Sequence, residues 1–153
     1  MQKDNTFSVK NANESSGFLF WRVYSLWQQE IKRVLSDKYG IIHSQYVLLA
    51  STHFLTLNGN EVTQVLLSQF TKIDVMNVSQ VLKKLEQMGL VARKEHSADT
   101  RAKAVFLTDK GRELTKKAVI DIEDIDVKFF SKLGKELENF NDCMLKLINS
   151  FQT

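Results

Sequence analysis

Proline is absent from the 153 residues, there is a single cysteine, Cys143, and glycine occurs only six times. Each scarcity excludes something. Proline fixes φ and removes a backbone donor, so its absence leaves helices free to run long without kinks. One cysteine cannot close an intrachain disulfide, which excludes a disulfide-stapled secreted scaffold and makes the cytoplasm the expected compartment. No run approaches the roughly 18 apolar residues of a membrane-spanning helix, and Met1–Ser16 is polar, without the apolar stretch of a secretory signal. His43, His53 and His96 stand far apart and lack a metal-ligand spacing. With no GxGxxG, no P-loop and no nucleophile elbow, neither catalysis nor a cofactor nor a resident metal is expected.

What the chain does have is 43% apolar residues in a length that suits one compact unit with a real core. Its net charge is +3, and from Lys72 to Lys103 seven Lys/Arg stand against four Asp/Glu. Charge alone supports a nucleic-acid partner only weakly, a solvated surface being the plain alternative.

The stretch Asp74–Gly111 reads as helix, strand, basic loop, strand and helix start. Val75, Val78, Leu82 and Leu85 recur at steps of three and four, a buried stripe on a 3.6-residue period. The opposite face carries Met76, Asn77, Ser79, Gln80, Lys83 and Lys84, with no carboxylate between Asp74, a natural N-cap, and Glu86. Such a face can approach phosphates without repulsion. Gly89 stops the helix. Leu90 and Val91 then begin a strand that passes through Arg93 and Lys94 into a hydrophilic loop, His96–Ala102, and returns through Lys103–Leu107. Thr108 caps the next helix. Gly111 follows three residues later, where glycine costs about 1 kcal/mol relative to alanine, so a close backbone approach is expected there.

The run Leu85–Val91 (LEQMGLV), the triplet Asp99-Thr100-Arg101 and the run Val105–Gly111 (VFLTDKG), in this order and spacing, resemble the MarR family of winged helix-turn-helix transcription regulators. Its signature is Asp-x-Arg at the end of the wing, then a strand and Leu-Thr-x-x-Gly. The resemblance extends over nearly the whole chain, because the flanking helices also fit.

Upstream, Gly17–Leu35 carries Phe20, Val23, Tyr24, Trp27, Ile31, Val34 and Leu35 on a helical stripe, widened by Phe18, Leu19, Trp21 and Leu26. A helix apolar on more than one side needs a second surface, from the same core or from another subunit. Ser44–Leu57 reads as a helix with Tyr46, Leu49, Ala50, His53, Phe54 and Leu57 in phase. Thr63 caps a short helix through Phe70 with Val65, Leu66 and Phe70 inward, and a turn containing Thr71 and Lys72 leads to Asp74, completing a helix-turn-helix. Downstream, a long helix carries Leu114, Ala118, Ile122, Ile125 and Phe129, and its acidic run Asp121–Asp126 reads as a solvated face. Leu133, Leu137, Phe140, Met144, Leu147 and Phe151 alternate at steps of four and three, a heptad seam that a monomer core or a twofold partner could cover. Cys143 lies in that helix and reads as a packing residue.

The expected fold is mainly α with a small β-hairpin wing: a winged helix-turn-helix lobe at 60–111 flanked by a polar arm at 1–16 and dimerisation helices at 17–57 and 112–153. The resemblance implies a homodimer joined through its N- and C-terminal helices. It also implies double-stranded DNA as partner, with the Asp74 helix in the major groove and the wing reaching the flanking minor groove. On that reading Lys72, Lys83, Lys84, Lys94 and Lys103 contact phosphates, and Thr63 belongs to the same DNA-binding set. Asn77, Ser79 and Gln80 read base edges with Met76 beside them on the DNA-binding face, and Asp99, Thr100 and Arg101 form the wing tip. The resemblance further implies a small-molecule effector between lobe and dimer helices, for which Trp21, Tyr24 and Tyr46 are candidates, although aromatics at helical spacing equally serve as core. Peroxide-sensing relatives carry a reactive cysteine near the N-terminus, where this chain has none. The competing reading is a winged-helix interaction or dimerisation module that does not bind DNA by itself.

Overall fold

The computed structural model describes residues 4–99 and 101–151. Ser15 opens α1 (Ser16–Val34), its hydroxyl accepting the Phe18 N–H at 3.3 Å. A π turn, Leu35–Tyr39, extends α1 until Gly40 stops it with φ 63°. There follow α2 (His43–Leu57), α3 (Gln64–Thr71), α4 (Val75–Gln87), β1 (Val91–Glu95), β2 (Lys103–Leu107), α5 (Asp109–Phe130) and α6 (Leu137–Asn149). Among the described residues no helix is long and apolar enough to cross a membrane.

The two strands form an antiparallel hairpin pairing Val91 with Leu107, Arg93 with Val105 and Glu95 with Lys103. The chain before α3 adds to its edge. Thr63 bridges Ala104, and the Val105 N–H donates to the Val62 carbonyl at 2.7 Å. One core holds these elements together: Ile31 and Leu35 from the end of α1, Leu48 and Leu49 from α2, Leu67 from α3, Val78, Leu82 and Leu85 from α4, Val105 from the wing and Ala118 from α5. Each leucine taken fully out of water contributes about 1.5–3 kcal/mol.

The junction between wing and α5 is as tight as the sequence suggests. Thr108 accepts the Gly111 N–H at 3.0 Å and donates to the Gly89 carbonyl at 2.6 Å. A Cβ on Gly111 would sit 1.9 Å from the Leu90 carbonyl oxygen, so no other residue fits without moving backbone.

Several inward faces differ from the periodicity reading. In α2 the buried positions are Gln45, Leu48, Leu49, Ser51, Thr52 and Leu55, whereas Phe54 and Leu57 are 55% and 72% exposed. Thr52 tolerates burial because its hydroxyl donates to the Leu48 carbonyl at 2.7 Å. In α3 Leu67 is the residue that goes in, and Val65 and Phe70 stay out; Phe70 stacks on Phe54 at 5.9 Å. Val75, at the first turn of α4, is exposed and not part of the buried stripe. The acidic run of α5 is not merely solvated: Asp121 accepts the Tyr39 hydroxyl at 2.5 Å and lies 3.3 Å from Lys38 Nζ, and Asp126 accepts the Trp27 indole N–H at 2.8 Å. The heptad seam is broken too. Gly134 adopts φ 58°, ψ −130° inside a 3-10 stretch, Ser131–Glu136, which separates Leu133 from α6.

Candidate nucleic-acid interface

Asp74 builds the start of α4. Its Oδ1 accepts the Asn77 N–H at 3.0 Å, and the Asn77 side-chain amide donates to its other oxygen. The Asn77 side chain is therefore partly occupied, while that of Gln80 has no hydrogen-bond partner among the described residues. Met76, Asn77, Gln80, Lys83 and Lys84 are exposed together and Ser79 is half-buried, opposite the buried Val78, Leu82 and Leu85. The orientation of α4 against α3 is fixed by Gln64, whose Nε2 donates to the Val75 carbonyl at 3.1 Å, and by the Ser68 hydroxyl on the Ile73 carbonyl at 2.6 Å. Lys72 takes the left-handed position of that turn, φ 64°, with its side chain exposed. Thr63 serves as N-cap, its hydroxyl accepting the Leu66 N–H at 3.1 Å.

The wing tip is also built by local hydrogen bonds. Asp99 Oδ1 accepts the Arg101 N–H at 3.0 Å and lies 3.4 Å from Arg101 Nε, holding a side chain that is 92% exposed. The His96 Nδ1 accepts the Ala98 and Asp99 amides, both at 3.1 Å. Glu61 ties the tip to the lobe by accepting the Ser97 amide at 2.8 Å together with the Ser97 hydroxyl, and these bonds hold its carboxyl below the usual range. Thr100 lies outside the described residues.

Strand alternation sorts the wing cations. Lys103 and Arg101 line a groove between the hairpin and the start of α3, together with Thr63, Gln64 and Arg93. Lys94 points to the other face, its ammonium 4.9 Å from the centre of the Phe106 ring, so the structure does not bring it together with Lys103. Arg93 was not singled out from sequence, because an isolated basic pair does not reveal which member faces inward until the strand phase is known.

The aromatic candidates are divided. Trp27 joins Tyr24 (5.9 Å), His43 (5.3 Å) and Phe130 (6.3 Å), and His43 continues to Tyr46 (6.4 Å). Burial, then the nearby carboxylates of Asp126 and Glu123, push the Tyr46 hydroxyl up to about 12. Trp21 stands apart on the exposed side of α1, and Cys143 is exposed on α6 rather than packed.

Comparisons with known proteins agree with this architecture. The ArnR1-like winged-helix domain family matches residues 37–126. The uncharacterised HTH-type transcriptional regulator YdcH of Bacillus subtilis is 34% identical over 136 residues, covering 89% of this chain and 91% of its own. Two solved structures share the fold at 22% identity. CouR from Rhodococcus jostii RHA1, bound to p-coumaroyl-CoA, superposes with a TM-score of 0.80 over 95% of this chain and 98% of its own. The S. aureus MepR–DNA complex superposes at 0.79 over 90% and 98%. The chain belongs to the ArnR1-like winged-helix family and to the HTH-type transcription regulators.

Proposed function

We propose that the protein is a sequence-specific double-stranded DNA-binding regulator that works as a homodimer in the cytoplasm, by binding rather than catalysis. The observation that carries this reading is the exposed face of α4, polar and basic, with no carboxylate between its Asp74 cap and Glu86, set beside a wing whose tip presents Arg101. A face of that kind suits the major groove, where Gln80 and Asn77 can pair with adenine edges and Lys83 and Lys84 meet phosphates. Residues 60–111 then form the DNA-reading lobe, while α1, α5 and α6 supply the twofold contact. The MepR neighbour, solved on DNA, supports the first assignment.

A small-molecule effector belongs to the same reading. The Tyr24–Trp27–His43–Tyr46 cluster joins α1 and α2 to α5 through the Trp27–Asp126 bond, so a ligand that prised these rings apart would move the lobe relative to the end helices. The CouR neighbour, solved bound to p-coumaroyl-CoA, supports a small-molecule ligand in this reading. The test is selection of bound fragments from genomic DNA, followed by titration of a recovered fragment across a salt series. A shared operator and affinity that falls steeply with salt are expected. An interaction module would recover no common sequence and show no such dependence.

A further inference from the structure

Arg93 carries a charge that the protein only half satisfies. The residue sits in β1, paired with Val105, on the hairpin face that looks across the groove to Thr63 and Gln64. Its side chain is 19% exposed. Glu86, in the last turn of α4, accepts its Nε–H at 2.5 Å. Among the described residues neither terminal nitrogen of the guanidinium has a hydrogen-bond partner. A guanidinium has five N–H donors in a fixed fork, so one carboxylate at Nε orients the group while leaving the outer pair of nitrogens for something else. Arg101 and Lys103 line the same groove with one carboxylate, Asp99, so its three cations outnumber its acid and it favours an anion.

We infer that Arg93 is a phosphate-binding residue of the DNA interface and that Glu86 is its positioning residue. The inference rests on the DNA-binding reading above. If α4 enters a major groove while the wing tip reaches the adjacent minor groove, the backbone separating the two grooves must pass between α4 and the hairpin. The Glu86–Arg93 pair occupies that junction, since it links the end of α4 to β1. Flexible lysines elsewhere on the face must be ordered on binding, whereas this guanidinium is already held, with two parallel N–H groups of the kind that match a phosphate. Lys94, its neighbour in sequence, lies over Phe106 on the far face and cannot serve this groove.

The measurement is fluorescence anisotropy of a random-sequence DNA duplex titrated with the full chain over a salt series, with thermal melts of every variant. Arg93→Gln is expected to weaken binding about tenfold, the size of a lost charge-assisted contact, and to reduce the salt slope by about one. Glu86→Ala is expected to weaken binding as well, although it removes a negative charge beside the DNA. If Arg93→Gln does not melt like wild type, the assignment is judged on Arg93→Lys, which keeps a cation for Glu86 but has no fork and is expected to lose about threefold. Wild-type affinity and slope in the deciding variant overturn the assignment of Arg93, and tighter binding by Glu86→Ala overturns the role of Glu86. Failure of the wild-type chain to bind the duplex at low salt overturns the DNA-binding reading itself.

Discussion

α4 and α6 are both amphipathic helices of 13 residues, yet one is finished and the other is not. In α4 the apolar stripe of Val78, Leu82 and Leu85 is wholly buried by other elements of the same chain, leaving a polar face for solvent or DNA. In α6 no residue is buried. Leu145, Leu147 and Ile148 are exposed, with Phe151 beyond them 87% exposed, and the first half of α1 likewise exposes Phe18, Leu19, Phe20 and Trp21. Hydrophobic periodicity thus reveals that a stripe exists without revealing what covers it. Apolar surface on this scale at both chain ends is unusual for a monomer, and the dimer proposed above would cover it with the same surfaces of a second copy.

The largest effect should come from breaking that cover. Wild type is expected to scatter light as a dimer at micromolar concentration, with a melting temperature that rises with concentration. Leu147→Asp should yield monomer or aggregate. Leu82→Ala, in the finished region, should instead cost about 2–5 kcal/mol and leave a dimer behind. A well-folded monomeric wild type would remove the contrast between the two regions.

Gly111→Ala probes the lobe where its own packing is closest. In an ordinary helix interior the change stabilises by about 1 kcal/mol. Here the new Cβ would meet the Leu90 oxygen at 1.9 Å, so strain of about 1–3 kcal/mol or more should reverse the sign. Chemical denaturation decides it, and a more stable Gly111→Ala would show that the junction of wing and α5 yields easily.

This same junction shows why some of the molecule is legible in sequence. The Asp74 cap, the Gly89 stop, the hairpin, the Thr108 cap and the close approach at Gly111 are local matters of φ, ψ and orphan amides, which a single residue type can announce. The inward faces of α2 and α3 are not. Val47, Leu48, Leu49, Phe54, Leu55 and Leu57 nearly encircle α2, so periodicity has no unique phase, and polar Gln45 and Thr52 go inside because nearby backbone groups satisfy them. Asp121 and Asp126 look solvated until Tyr39 and Trp27 arrive from another helix. In the site, Asp99 and Arg101 stand out through their motif, while Arg93 emerges only once the strand phase separates it from Lys94.

A smaller effect separates stability from function within the lobe. Arg101 is 92% exposed, so its pair with Asp99 is worth about 0–1 kcal/mol to the fold. Arg101→Ala should melt like wild type yet lose tenfold or more in DNA affinity, about 1.4 kcal/mol. Asp99→Ala should also bind more weakly, because its carboxylate holds the Arg101 backbone and side chain in place. Simple charge counting gives the opposite sign for Asp99, and tighter binding in a titration would end the orienting role.

The smallest expected effect is a pH dependence with one contribution on each side of the comparison. His53, on α2 where it packs towards α5, is depressed below 6.5 by burial and then by Lys116 and Arg112 on α5. His43, at the junction with the end helices, is depressed by burial, with Asp126 opposing. A histidine whose folded value lies below its unfolded value binds fewer protons when folded, so stability falls as pH drops through 6.5 and levels off below the folded value. Melting temperature should therefore decline from neutral pH towards mildly acidic pH, and His53→Gln and His43→Gln should each flatten part of the decline. Repeating the series on Leu147→Asp separates the two sites. The His53 share should persist, because the groups that depress it, Lys116 and Arg112, belong to the same chain. The His43 share should shrink if the second copy adds to the burial of the Trp27 cluster, and an unchanged share would mean that the single chain already completes this junction.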